Sequence, residues 1–373
     1  MNKSPDFRPD GERLIGLDLA RALAIAMVLV NHWTAHFSLW SGQASISPLW
    51  DFLGDAGVGL FFALSGFLIG RILLDMRAGW RDLRIFLTRR ALRTLPLYFL
   101  WLTLLLAVFP PAGGVAAIGP RYATLTQNLI APMPANFYFA VSWSLAVEEW
   151  FYLLSGIAIV GLSLLLGRRR AVWCYLALFL LAPMAARFLH DDWRALVPFR
   201  LDEIAYGVLF ASLYRAESAL FRHPWFALGG GLSLVAFAAF GLPSLLGSWS
   251  AYLTGEIVAI GFALCLPAAL RARRAPAWFA APVAWIGTRS YALYIVHLTV
   301  LVDIVEVRLF EPGLMSLPLS MILAIVLPFG LAELSWRFVE TPMLRLRPRH
   351  DTRTRTGRTQ RVTLPAATVP ASA

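Results

Sequence analysis

The stretch at residues 16–33, GLDLARALAIAMVLVNHW, decides the fold class. The apolar run from about Leu14 to Trp33 meets the roughly 20 residues that a helix needs to cross a hydrocarbon layer. It nevertheless carries Asp18, Arg21 and His32. Groups of this kind inside a bilayer are costly and face a protein interior rather than lipid. Arg21 and His32 are eleven steps apart. At about 100° per residue their directions differ by only roughly 20°, and they lie about 16 Å apart along the axis. One face of this helix is therefore expected to line a polar interior. Arg21 within the run, and the lack of a small-x-small cleavage site, mark a retained first span rather than a removed signal peptide.

The rest of the chain follows the same reading. Of 373 residues, 58% are hydrophobic and 15% charged, with a mean hydropathy of +0.65. Soluble domains hold about 25% charged residues, and one water-soluble globule could not bury so much apolar surface. Spans are expected near 14–36, 52–74, 94–110, 137–165, 171–189, 199–216, 225–243, 250–270, 282–303 and 317–338. The expected fold is all-α: a polytopic integral membrane helical bundle of about ten transmembrane helices. Residues 76–93 read as a basic amphipathic interfacial helix leading into the third span.

A net charge of +11 raises the question of nucleic acid. The Arg clusters fall between apolar runs, without a stripe of interleaved aromatics, so no nucleic-acid partner is expected. With the N-terminus inside, one set of connectors holds Arg77, Arg81, Arg84, Arg168, Arg169, Arg170, Arg271, Arg273, Arg274 and the tail from Arg345. The alternate set has only Arg121, Arg187, Arg194 and Arg308, with Arg200 at a helix mouth. This asymmetry places both termini in the cytoplasm. A transmembrane domain is expected over 1–345 and a disordered basic tail over 346–373. Cys174 and Cys265 have no metal or disulfide spacing, and no metal is expected.

Three constellations can carry chemistry. His32 has a suitable unperturbed pKa for taking a proton from a hydroxyl, with Arg21 on the same face. Arg89, Arg90 and Arg93 begin the third span, and planar guanidiniums bind phosphates bidentately; a topological role for them is equally open. In Trp143-Ser144-Leu145-Ala146-Val147-Glu148-Glu149, two adjacent carboxylates sit at membrane depth. Ser144 and Glu148, four apart, share a face, whereas Glu149 points about 100° away. Either carboxylate can neutralise a buried Arg or orient His32. Arg200 and Glu203 can pair at i, i+3, and His297 reads as a structural hydrogen-bonding residue.

These strings resemble, in order, the membrane-bound acyltransferase-3 family of O-acyltransferases. The first stretch resembles its first helix, with an Arg-x10-His arrangement at Arg21 and His32. GVGLFFALSGFLI (57–69), RRALRTLPLY (89–98), WSLAVEEWFYLL (143–154), RLDEIAYGVLFA (200–211), IGTRSYALYIVHL (286–298) and ELSWRFVETP (333–342) continue the series. Trp150 departs from it, since many relatives have a polar residue after the acidic pair. Some relatives carry an added SGNH hydrolase-like domain; this chain resembles the stand-alone subgroup.

The resemblance implies a multi-pass protein of the cell (inner) membrane. Such a protein would move an acyl group, expected to be acetyl, from cytoplasmic acyl-CoA to a hydroxyl of a polysaccharide, glycolipid or other carbohydrate-containing acceptor. Acyl-CoA is a co-substrate, and no permanently bound cofactor is implied. By the same resemblance His32 is the catalytic base, Arg21 its required partner, and Glu148 or Glu149 a site carboxylate. Arg90 and Arg93, with neighbouring Arg89, contact acyl-CoA. Asp18, Trp143, Ser144, Tyr152 and Arg200 are candidate substrate contacts. The competing class is a transporter or flippase of lipid-linked glycans, which would also place charges inside a bundle.

Overall fold

The computed structural model describes residues 14–42, 47–130, 138–188 and 195–348. Residues 1–13 and 349–373 fall outside it, and with them most of the expected tail and both chain ends. Long apolar runs with few breakers give helices throughout, and no strand occurs among the described residues. In chain order the helices are α1 Ile15–Trp40, α2 Pro48–Asp75, α3 Trp80–Val108, α4 Val115–Ala123 and α5 Ser142–Leu166. Then come α6 Arg168–Arg187, α7 Leu201–Arg215, α8 Ala219–Arg222, α9 Pro224–Ala236 and α10 Leu242–Leu246. The last are α11 Ala251–Arg271, α12 Ala277–Leu298, α13 Leu317–Ser335 and α14 Thr341–Arg345.

Seven helical runs among the described residues are long and apolar enough to cross a membrane. One of them, Pro224–Arg271, contains two antiparallel rods: the chain turns at Gly247, whose φ is 55°, and Gly231 packs against Gly261. Those seven, the second rod of this hairpin, α7 and α12 make ten rods at the ten expected places. α7 has 15 residues, short for a bilayer core, but it is enclosed by α2, α6 and α11 rather than lipid. The expected interfacial helix and third span prove to be one helix, α3, which continues through Pro96. Proline there removes one backbone donor without ending the rod. The fourth span was expected from 137, which is outside the described residues; its helix begins at Ser142.

α2 is the centre of the bundle, packed on α1, α7 and α11. Lipid tails are as apolar as leucine, so small residues rather than hydrophobic contrast select the helix contacts. A Cβ on Gly66 would collide with the Ile204 carbonyl, and one on Gly207 with the Ala63 carbonyl. The two backbones therefore meet directly. At the end of the bundle that holds the N-terminus of α7, a buried ion network joins α6, α7 and α11. Arg187, expected in one of the connectors of the alternate set, is 1% exposed. It pairs with Asp202 and Glu256 and donates to the carbonyls of Phe199 (2.6 Å) and Tyr252 (3.1 Å). Two buried carboxylates need a cation, a demand that counting charges in connectors does not register.

Candidate active site

Two cavities with part of a wall in common lie between the helices. The first, of about 860 Å³ including its open mouth, is lined by Arg21, Arg90, Arg93, Ser144, Glu148 and Tyr152, among others. The second, of about 1030 Å³, has Asn31, His32, Asp51, Asp55 and Trp143 in its wall. Val58 and Tyr294 line both. The polar interior expected along one face of α1 is thus two chambers, with Arg21 in one and His32 in the other. Large side chains divide them: Phe61 of α2 meets the Tyr294 ring edge-on at 6.1 Å, and Phe62 meets Trp143 at 6.4 Å.

In the first chamber α1 presents Arg21, held by Asp18 one helical turn back (Nη1 to Oδ1, 3.1 Å). Asp18 is buried behind Arg21 and does not reach the wall. α3 contributes Arg90 and Arg93, three apart on one face, and the Arg90 guanidinium lies 6.0 Å from the Tyr152 ring centre. Arg89 points elsewhere and donates to the Pro348 carbonyl at 2.5 Å. α5 supplies Ser144, Glu148 and Tyr152, a four-residue repeat along one face. The Tyr152 hydroxyl pairs with Ser65 at 2.6 Å, and the Ser144 hydroxyl with Tyr294 at 2.6 Å. Glu149 is turned away from both chambers and accepts from Thr94 at 2.5 Å. Only Glu148 of the acidic pair lines a chamber. Trp150 donates its indole N–H to the Leu125 carbonyl at 2.9 Å.

The second chamber contains the geometry with the most chemical content. His32 Nδ1 lies 2.9 Å from His297 Nε2, and His297 Nδ1 lies 3.0 Å from the Leu293 carbonyl. A carbonyl only accepts, so His297 Nδ1 carries the hydrogen. For two neutral rings His297 Nε2 is then an acceptor, and His32 Nδ1 must donate to it. The lone pair of His32 is left on Nε2, as a general base requires. Trp143 lines the same chamber, and the Arg200 guanidinium lies 5.1 Å from its ring centre. Arg200 is not in the wall; it is buried behind Trp143 and bonded to Glu203 at 3.0 Å.

With this arrangement in view, comparison with known proteins is direct. The Acyltransferase domain family matches residues 14–333. The chain belongs to this acyltransferase family. Among curated relatives, the peptidoglycan O-acetyltransferase OatA of Listeria monocytogenes is 24% identical, over 88% of this chain and 55% of its own length. The O-acetyltransferase OatA of Staphylococcus aureus is 26% identical, over 91% of this chain and 58% of its own. The chain thus spans a little over half the length of these relatives. No solved structure matches it.

Two residues of this acyltransferase domain carry more than the sequence reading assigned to them. His297 is the partner of His32, and Tyr294 stands in the wall common to both chambers. A signal was present in α12: Ser290, Tyr294 and His297 are spaced by four and three, one face of a helix. In isolation that face is indistinguishable from a polar packing stripe. It gains meaning only from α1, 265 residues away in sequence at His32.

Proposed function

We propose that this protein is a multi-pass membrane O-acyltransferase that transfers an acetyl group from cytoplasmic acetyl-CoA to a hydroxyl of a polysaccharide on the opposite side of the membrane. The observation that carries the proposal is the pair of chambers meeting at Val58 and Tyr294, guanidiniums in one and a base in the other. The relatives' names support an O-acetyl group and a peptidoglycan-like acceptor. The Arg clusters expected on the cytoplasmic side support entry of an anionic donor at the Arg90 and Arg93 mouth.

In this reading the phosphates of the donor rest on Arg90 and Arg93, and the pantetheine arm runs past Arg21 to the junction, where the Phe61–Tyr294 and Phe62–Trp143 contacts part to admit the thioester. The acceptor enters the second chamber, where the Trp143 face and the carboxylates of Asp51 and Asp55 suit sugar rings and hydroxyls. His32 Nε2 takes the hydroxyl proton as the oxygen attacks the thioester carbonyl. A C–O bond forms, the C–S bond breaks, and the proton passes from His32 to the departing thiolate. Holding both reactants at one junction contributes several kcal/mol, about 7–11 for well-oriented pairs, and base catalysis about 10²–10⁴-fold.

The test is transfer in proteoliposomes of the purified protein, with radiolabelled acetyl-CoA on one side and peptidoglycan fragments on the other. Labelled ester should accumulate with wild type and be lost in His32→Ala, with membrane insertion unchanged. Movement of a glycan without thioester turnover would instead establish a transporter.

A further inference from the structure

Arg347 has no part in the steps above, yet its surroundings are unusual. It follows α14, and its Nε and Nη2 are buried without a hydrogen-bond partner among the described residues; Arg90 Nε is in the same condition. A buried donor left open forfeits the water it gave up and gains nothing in return. The Arg89 bond to the Pro348 carbonyl holds this segment against α3. Arg347 consequently lies within electrostatic reach of Arg93, Arg90 and Arg89. Burial, with these like charges beside it, lowers its pKa to about 9. The carboxylate that acts on it is Glu340, whose Oε1 is itself buried without a hydrogen-bond partner among the described residues. Arg347, Arg89, Arg90 and Arg93 thus gather at one place, with Glu340 beside Arg347 and Arg93 and Glu148 beside Arg90 and Arg93, and a multiply charged anion would complete the excess of donors.

We propose that Arg347 and Arg90 form a phosphate subsite at this mouth, and that its occupant is the ribose 3′-phosphate of the acyl-CoA donor. The proposal rests on the donor reading given above. Planar guanidiniums match phosphate oxygens in pairs, which meets the open Nε and Nη2 donors together. Position selects which phosphate. Arg90 and Arg93 line the first chamber and Arg347 does not, so its ligand lies farther from the thioester than the groups inside. In coenzyme A that outlying group is the 3′-phosphate, beyond the diphosphate on the nucleotide.

The experiment is competition binding on wild type, Arg347→Gln and Arg347→Lys in nanodiscs. Tritiated acetyl-CoA is displaced by coenzyme A or by 3′-dephospho-coenzyme A. Wild type should prefer coenzyme A by about tenfold or more, the loss expected when one charge-assisted phosphate contact is removed. Arg347→Gln should bind coenzyme A no better than wild type binds the dephospho form, while its own affinity for the dephospho form changes less than about twofold. Arg347→Lys, which keeps the charge but not the fork, should fall between. Equal weakening of both competitors, or no preference in wild type, overturns the proposal. A lipid phosphate in the subsite would show as a melting temperature that rises with phosphatidylglycerol in wild type but not in Arg347→Gln, without nucleotide discrimination. That result overturns it as well. Absence of any acetyl-CoA binding to wild type refutes the donor reading itself, and the subsite falls with it.

Discussion

His297 is the residue whose replacement separates positioning from packing most cleanly. Its side chain is fully buried, its Nδ1 hydrogen is committed to the Leu293 carbonyl, and its Nε2 accepts from His32. His297→Leu removes the acceptor and leaves the His32 Nδ1 hydrogen unpaired, or drives His32 to the other tautomer, whose Nε2 cannot act as a base. An unsatisfied buried donor costs about 1–3 kcal/mol. With about 1.36 kcal/mol per tenfold in rate, kcat should fall roughly 5- to 150-fold. His297→Gln offers a carbonyl oxygen in place of Nε2 and should recover most of that loss. The assay is thiol release from acetyl-CoA with saturating acceptor, alongside donor affinity and melting temperature. Donor affinity should be unchanged in both variants, because His297 lines neither chamber. Equal loss of kcat in the Leu and Gln variants, at equal melting temperatures, would refute the tautomer argument. So would a Leu variant within twofold of wild type.

Further consequences concern the junction, the central helix and the ion network. Val58→Trp places an indole where the two chambers meet and should reduce transfer by at least about a hundredfold while acetyl-CoA still binds; normal transfer would mean that the reactants meet elsewhere. Gly66→Val should lower stability by about 1–3 kcal/mol or prevent insertion, since its Cβ strikes the Ile204 carbonyl. Gly161→Ala, with open space around it, serves as the neutral control in the same thermal unfolding series. Arg187→Met strands Asp202 and Glu256 and should cost about 3–5 kcal/mol, read as a large fall in melting temperature; a smaller cost than that of Gly161→Ala would deny the network its role.

How much of this was legible in the sequence depended on the kind of information each residue carries. The positions of the ten rods follow from length and hydropathy, and a bilayer enforces both, because only helices satisfy their own backbone groups there. The side of α1 that faces the interior was also legible, since Asp18, Arg21 and His32 cannot face lipid. The division into two chambers was not. It depends on Phe61 and Tyr294 meeting from α2 and α12, and both are apolar-looking members of apolar strings. The choice between Glu148 and Glu149 was half legible. Helical geometry says that only one shares the Ser144 face, but the commitment of the other rests on a hydroxyl of α3, Thr94.

The reason lies in the solvent. In water a helix buries its apolar stripe, so hydrophobic periodicity reports which side faces the core. In a bilayer the outward surface is as apolar as the interior, and periodicity no longer distinguishes them. α2 illustrates the point: from Ala56 to Gly70 its one polar side chain is Ser65, yet Gly57, Gly66 and Gly70 mark three close approaches, to α1 and to α7. Orientation is encoded in the residues that lipid would penalise and in the residues small enough to let backbones touch. Applied to α12, the same rule places Gly287 against the backbone of Asp18 on α1. Gly287, Ser290, Tyr294 and His297 then follow at helical spacing along one face. A glycine pressed on α1 at one end of that face puts a histidine about three turns along it on the side that looks toward α1. On α1 itself, His32 lies fourteen residues beyond Asp18, a rise of about 21 Å against about 15 Å on α12, and the 2.9 Å contact between the two imidazoles is made across that offset of about one turn, reached by side chains long enough to span it.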